Sequence, residues 1–115
     1  MYCSYCNIIF FIFILNILSF LFNLNNICNC RWGSKGTGDG QFTNPSGICL
    51  DGDCIYICDW HNDRIQVFSK DGSFLRKFGS RGSGIGQFID PSGVAVDSDY
   101  LYVVELQNDR VQVFN

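Results

Sequence analysis

The ten residues 59–68, DWHNDRIQVF, hold the side chains best suited to chemistry in this sequence. Asp59, His61 and Asp63 lie within five positions, where an imidazole and two carboxylates could act as a general base or bind a metal ion. However, His61 is the only histidine of the chain, and a metal site normally needs three or four ligands. We therefore expect no enzyme, no catalytic residue, no metal and no cofactor, and we interpret the stretch as part of the fold.

An internal repeat supports this interpretation. The stretch recurs 46 residues later as ELQNDRVQVF, and residues 31–69 align without gaps on residues 77–115, with 19 of 39 positions identical. Both copies keep an asparagine, an aspartate and an arginine, whereas the tryptophan and the histidine occur once. A period of this length is typical of propellers and solenoids. We assign residues 31–76 to a first repeat and residues 77–115 to a second, truncated repeat.

Each repeat has the pattern of short strands separated by tight turns. In the first repeat we predict strands at residues 47–51, 54–58, 64–68 and 74–78. Asp-Gly pairs lie between the first and second strands and between the third and fourth, and glycine adopts the positive φ that such hairpin turns require. Four antiparallel strands in about 40 to 50 residues predict a β-propeller blade and an all-β fold.

Three spaced motifs in these strands resemble those of the NHL repeat family. They are G-Q-F-x2-P-S-G-[IV]-x2-D, [IL]-Y-[IV]-x-[DE]-x2-N-D-R-[IV]-Q-V-F and D-G-x-F-x3-F-G, and they lie within residues 31–115. The resemblance implies a β-propeller, usually six-bladed, that binds protein or RNA. One full four-stranded repeat plus most of a second makes an incomplete propeller. Further NHL repeats or self-association would be needed to close it.

The strand order predicts which edge of the blades could bind a partner. In an up-and-down sheet, the turns between the second and third strands share an edge with the links between repeats, and the resemblance implies that this edge binds the partner. Residues that recur there are expected to build the hairpin corner, and residues that differ or carry positive charge are expected to contact the partner. The corner set is Asp59, Asn62, Asp63, Arg64, Glu105, Asn108, Asp109 and Arg110. The partner-binding set is Trp60, His61, Lys35, Arg81, Leu106 and Gln107.

Particular contacts are expected within these two sets. Arg64 should pair with Asp59, and the equivalent arginine and glutamate should pair in the second repeat. An exposed tryptophan and histidine at positions 60 and 61 could stack on a base or anchor a peptide, or they could reflect drift. The basic residues at positions 35 and 81 could face phosphates, or they could be solvated loop charges.

Residues 1–30 differ from the rest because they contain no charged side chain. Residues 8–24 are apolar enough for a membrane segment, although at about 1.5 Å per residue a helix of this length only just spans the hydrocarbon core. A gene-model artefact from A/T-rich sequence is an equal alternative. If residues 8–24 are inserted, Arg31 and Lys35 would keep the repeats cytoplasmic, and otherwise we expect a cytoplasmic protein. We do not expect the flanking Cys-x2-Cys and Cys-x-Cys pairs to bind zinc together.

These observations favour a non-catalytic NHL-repeat module that mediates protein–protein interaction. RNA is an open alternative that the net charge of −3 does not favour. A second alternative is a fragment of a tripartite-motif-type E3 ubiquitin ligase whose catalytic RING lies outside this chain.

Overall fold

The computed structural model of the chain describes residues 31–115, which form nine β-strands. They are β1 Ser34–Lys35, β2 Gln41–Phe42, β3 Pro45–Asp51, β4 Cys54–Asp59, β5 Arg64–Ser69, β6 Phe74–Phe78, β7 Pro91–Val96, β8 Leu101–Glu105 and β9 Arg110–Phe114. Strands β3-β4-β5-β6 form a four-stranded antiparallel sheet, the first blade, and β7-β8-β9 form a three-stranded antiparallel sheet, the second blade. The sheets do not close into a ring, so the prediction of an all-β, incomplete propeller is confirmed.

Local sequence accounts for most of these elements. The four predicted strands of the first repeat correspond to β3, β4, β5 and β6, with ends that differ by two residues at most. Gly52 and Gly72 have φ values of 53° and 87°, the left-handed conformation expected in the hairpin turns. Asp63 and Asp109 also have positive φ, at 49° and 48°, which aspartate adopts more readily than most residues.

The pairing of β1 with β2 was not predicted. These two strands are parallel and only two residues long each, and they lie in the glycine-rich link before the first blade. The second link has the equivalent isolated parallel bridge between Arg81 and Phe88. Strands this short show no alternation of apolar and polar residues, so the sequence pattern could not reveal them.

The two blades pack through a shared core. On the first blade, Cys58, Ile65 and Val67 are fully buried against Phe88 and Val103, which belong to the second repeat. Gly47 permits this close approach, because a Cβ there would lie 2.7 Å from the backbone oxygen of Ser92. We call these surfaces the back face of the first blade and the front face of the second blade.

A smaller core lies on part of the opposite, front face of the first blade. Ile55, Ile57 and Phe68 form it, and Phe42 and Phe74 pack against them. Strand β5 therefore alternates between two cores, since Ile65 and Val67 face one and Phe68 faces the other.

The described cysteines pack as small apolar side chains. Cys58 belongs to the shared core, and Cys49 and Cys54 are half-buried against it. Burial raises the pKa of the Cys58 thiol to about 12 and that of Cys49 to about 11. The candidate membrane segment 8–24 and the cysteine pairs near it lie outside the described residues. Within residues 31–115, no helix is long and apolar enough to cross a membrane.

Candidate functional site

The predicted binding edge carries the turns between the second and third strands of each blade and the links that precede the blades. In the first blade the turn is a 3₁₀ helix, Trp60–Asn62. Its His61 backbone N–H donates to the Thr43 carbonyl of the preceding link at 3.1 Å, and in the second blade Leu106 N–H donates to the Asp90 carbonyl at 3.2 Å. Turn and link are thus joined in both blades, and together they form one surface, which we call the link edge.

Asp59 is the centre of the corner of the first blade. Its side chain is fully buried, and Oδ2 accepts hydrogen bonds from Arg64 Nε at 2.8 Å and from Asn62 Nδ2 at 2.8 Å. Gln66 also donates to Oδ2, and the Thr43 backbone N–H donates to Oδ1 at 2.7 Å. Both carboxylate oxygens are therefore used by the fold.

Arg64 carries the same network into the link. Its Nη1 donates to the Thr37 carbonyl at 2.8 Å, and its Nη2 donates to the carbonyls of Gly38 and Gln41 at 2.9 Å each. A planar guanidinium with five donors can satisfy three loop carbonyls and a carboxylate together. Arg64 therefore shapes the link as well as the corner.

The corner of the second blade repeats this design with glutamate in place of aspartate. Glu105 accepts hydrogen bonds from Arg110 Nε at 2.6 Å, from Gln112 Nε2 at 2.9 Å and from the Ile89 backbone N–H at 3.2 Å, and Asn108 also donates to it. Burial opposes ionisation of Glu105, but these donors together hold its pKa below the usual glutamate value.

Asp63 does more than complete the first corner, because it joins the two blades. Its Oδ1 accepts the Asp90 backbone N–H at 3.0 Å, and its Oδ2 pairs with Arg81 Nη1 at 3.1 Å. The sequence indicated a hairpin-corner role for Asp63 and a partner-facing or solvated charge for Arg81. It gave no indication of the ion pair between them. The equivalent aspartate, Asp109, has no side-chain partner among residues 31–115, and the same is true of Lys35.

The expectation of an exposed tryptophan–histidine pair applies to only one of the two residues. His61 is exposed, whereas Trp60 is half-buried with its ring centroid 4.9 Å from that of His61. The Trp60 indole N–H is buried and has no hydrogen-bond partner in the described part of the chain. Asn44 Nδ2 lies 3.1 Å from His61 Nδ1 and orients the imidazole. In the second blade, Leu106 and Gln107 are exposed at the equivalent positions.

Comparison with known proteins assigns this architecture to a family. A family model described as a 6-bladed beta-propeller matches residues 35–115. The chain belongs to this family. Its relatives include NHL-repeat proteins, so residues 31–115 are an NHL-type propeller segment, as the sequence motifs predicted.

The relatives are much longer than this propeller segment. The segment is 47% identical over 49 residues to the B-box type zinc finger protein ncl-1 of Caenorhabditis elegans, an alignment that covers 42% of this chain and 6% of ncl-1. It is 48% identical over 48 residues to the RING finger protein nhl-1 of the same species, covering 41% of this chain and 5% of nhl-1. A crystal structure of a Bacteroides fragilis protein superposes with a TM-score of 0.58 at 30% identity, covering 71% of this chain and 23% of that protein. The chain thus spans only a small part of each relative.

A cavity of about 390 Å³ lies at the edge of the blades opposite the link edge. This opposite edge carries the hairpin turns, and we call it the hairpin edge. Its lining includes Asp51, Tyr56, Arg76, Asp97 and Tyr100. The backbone N–H groups of Asp99 and Tyr100 and the Tyr102 hydroxyl lower the pKa of Asp97. The site prediction missed this cavity, although the repetition of Asp51 as Asp97 was a signal that both blades place an aspartate there.

Within residues 31–115, no group of three histidine, cysteine, aspartate or glutamate side chains is arranged to hold a metal ion. The corner residues that resembled a catalytic or metal-binding cluster are instead engaged with the links and with one another.

Proposed function

We propose that this propeller segment is a non-catalytic binding module whose link edge contacts a protein partner. One observation carries the proposal. Apart from Asp109, the polar corner side chains that recur in both blades are engaged in hydrogen bonds within the fold, whereas positions 61, 106 and 107, which differ between the blades, are exposed beside them. A rigid scaffold that presents variable side chains is the usual design of a binding surface.

The charge at the link edge favours protein over RNA. Arg81 is paired with Asp63, which leaves Lys35 as the basic side chain of the partner-binding set without a described partner. Affinity for RNA or DNA comes largely from several lysines and arginines that contact phosphates. Leu106 is 53% exposed and offers an apolar contact of the kind that proteins bind.

The same geometry argues against catalysis at His61. A histidine that acts as a general base is usually oriented by an acidic partner. Here Asp59 is buried behind Arg64, Asp63 is paired with Arg81, and His61 Nδ1 faces Asn44. The imidazole is therefore better placed for a contact with a partner than for proton transfer.

The experiment compares binding by variants of the two edges. The full chain, immobilised on beads, would be incubated with a cell extract, and the retained proteins would be quantified with and without RNase. The variant His61→Ala/Leu106→Ala should lose about tenfold or more of a specific partner, since exposed apolar and aromatic side chains dominate many interfaces. Trp60 is left intact because its half-buried ring contributes to the fold.

The matched control is Asp53→Ala at the hairpin edge, which should retain the partner because Asp53 makes only an exposed ion pair with Lys70. Equal losses in both variants, or loss in the control alone, would contradict the assignment of the link edge. Loss of the retained protein on RNase treatment would move the proposal to RNA.

A second candidate is that this segment belongs to a tripartite-motif-type E3 ubiquitin ligase. The observation that favours it is the similarity to nhl-1, which is named as a RING finger protein. The complete transcript tests this candidate, because a C-x2-C RING pattern upstream of the repeats would support it and repeats alone would refute it. Ligase activity would then reside outside the present chain.

A further inference from the structure

Five of the ten large apolar side chains that are exposed among the described residues lie on two sheet faces. The back face of the second blade exposes Val104, Val111 and Val113 by 42%, 54% and 54%. The front face of the first blade exposes Ile48 and Leu50 by 61% and 62%. Exposed aliphatic side chains grouped on a sheet face indicate a surface that another protein surface covers.

The contact between the two blades shows what kind of surface that is. The equivalent positions in the first repeat, 46 residues earlier, are Cys58, Ile65 and Val67 for Val104, Val111 and Val113. These three residues of the first repeat are fully buried in the shared core. The positions equivalent to Ile48 and Leu50 in the second repeat, 46 residues later, are two valines that pack against that core. Each exposed face thus carries repeat equivalents of apolar residues from one half of the existing interface.

The polar groups that join the two blades also have repeat equivalents, and these equivalents are unpaired among the described residues. Within the chain, Asp63 accepts from Arg81 Nη1 and from the Asp90 backbone N–H. The equivalent groups are the carboxylate of Asp109, the ammonium of Lys35 and the backbone N–H of residue 44, and none of them is bonded to a described residue. Asp109 lies on the second blade and Lys35 precedes the first, so the two charges are complementary.

Gly93 is a further indication of a close neighbour. Its equivalent, Gly47, is needed because a Cβ would lie 2.7 Å from the Ser92 oxygen across the interface. A Cβ on Gly93 would meet only the Val104 side chain at 3.8 Å, an ordinary contact. Within one chain, therefore, nothing described explains why this position is glycine.

We propose that the back face of the second blade binds the front face of the first blade of another copy of this chain, with Asp109 accepting from Lys35 and from the residue 44 N–H of that copy. This contact is head-to-tail, so each copy keeps one free face until the ring closes. The family propeller has six blades and residues 31–115 form two, so three copies of this segment together supply six blades. A second copy is the occupant because both halves of the interface are present in the same chain.

The test is the mass of the full chain in solution. Sedimentation equilibrium over a range of concentrations should show a reversible monomer–trimer equilibrium, with the trimer at about 39 kDa from chains of 13.0 kDa. Gly93→Ala should weaken the trimer by about tenfold or more, since overpacking a close contact is costly, and should leave the circular dichroism of the monomer unchanged. Asp99→Ala, an exposed position away from both faces, is the matched control and should assemble normally.

Charge exchange provides a second, independent readout. Asp109→Lys and Lys35→Asp should each weaken assembly, and the double variant should recover part of it because the two charges are again opposite. Recovery is incomplete because an ammonium group at position 109 cannot accept the backbone N–H. A chain that stays monomeric at all concentrations, or an assembly that is unaffected by Gly93→Ala and Asp109→Lys, would overturn the proposal. Open polymers without a discrete trimer would overturn the closed ring.

Discussion

Arg81 Nη1 donates to Asp63 Oδ2 at 3.1 Å, and this ion pair joins the link of the second repeat to the corner of the first. Asp63 is almost buried and Arg81 is largely exposed, with side chains exposed by 8% and 71%. The aspartate also accepts the Asp90 backbone N–H, so the two partners contribute unequally to the joint.

We therefore expect substitutions of this pair to differ in cost. Asp63→Ala removes the acceptor of a partly buried backbone N–H and should lower the free energy of unfolding by about 1 to 3 kcal/mol. Arg81→Ala removes one exposed ion pair and should cost less than about 1 kcal/mol. Urea denaturation of both variants measures the difference. Equal costs would show that the ion pair, and not the backbone acceptor, dominates the joint.

The two corner arginines should also differ, because the side chain of Arg64 is 8% exposed and that of Arg110 is 31% exposed. Arg64→Met leaves the fully buried Asp59 without its cationic partner and should cost about 3 to 5 kcal/mol, the range for a broken buried ion pair. Arg110→Met should cost less, since water can reach part of its site. The repeat makes each variant the control of the other in thermal unfolding experiments.

Stability should fall in acid partly because of Glu105. Its folded pKa is lower than that of an unfolded glutamate, about 4.3, so its ionised form favours folding. This contribution is fully present above that unfolded value and is lost as the pH falls through the folded pKa. The free energy of unfolding measured between pH 6 and pH 3 should therefore decline less steeply in Glu105→Gln than in the native chain. Parallel profiles would contradict the role of Glu105.

The buried Cys58 should resist alkylation in the folded protein. Its thiol is fully buried and its pKa is raised to about 12, so the reactive thiolate is scarce at neutral pH. Peptide mapping after iodoacetamide treatment should find Cys58 unmodified in buffer and modified in urea.

The same raised pKa predicts a loss of stability in alkali. The neutral thiol favours the folded state below the unfolded thiol pKa of about 8.5, and this contribution is lost as the pH rises through the folded pKa. Cys58→Ala should flatten this alkaline decline in unfolding experiments. In the iodoacetamide experiment, rapid modification of Cys58 in the folded protein would contradict its protection and show that the shared core opens readily.

The repeat, the four strands of the first blade and the hairpin turns could all be predicted from the amino-acid sequence. These features follow from signals that act over a few residues, namely the alternation of apolar side chains and the conformational freedom of glycine after aspartate. The same reasoning grouped Asp59 with Arg64, because a hairpin corner brings its two ends together.

Which groups are free at the link edge depends instead on contacts between distant parts of the chain. Trp60 is half-buried, Arg81 is paired with Asp63 and β1 lies beside β2, and none of these contacts has a local signal. They depend on how one blade packs against a link or a second blade, which brings together side chains far apart in the chain. Local periodicity encodes the strands, whereas the exposure of a side chain is decided by what the assembled sheets place over it.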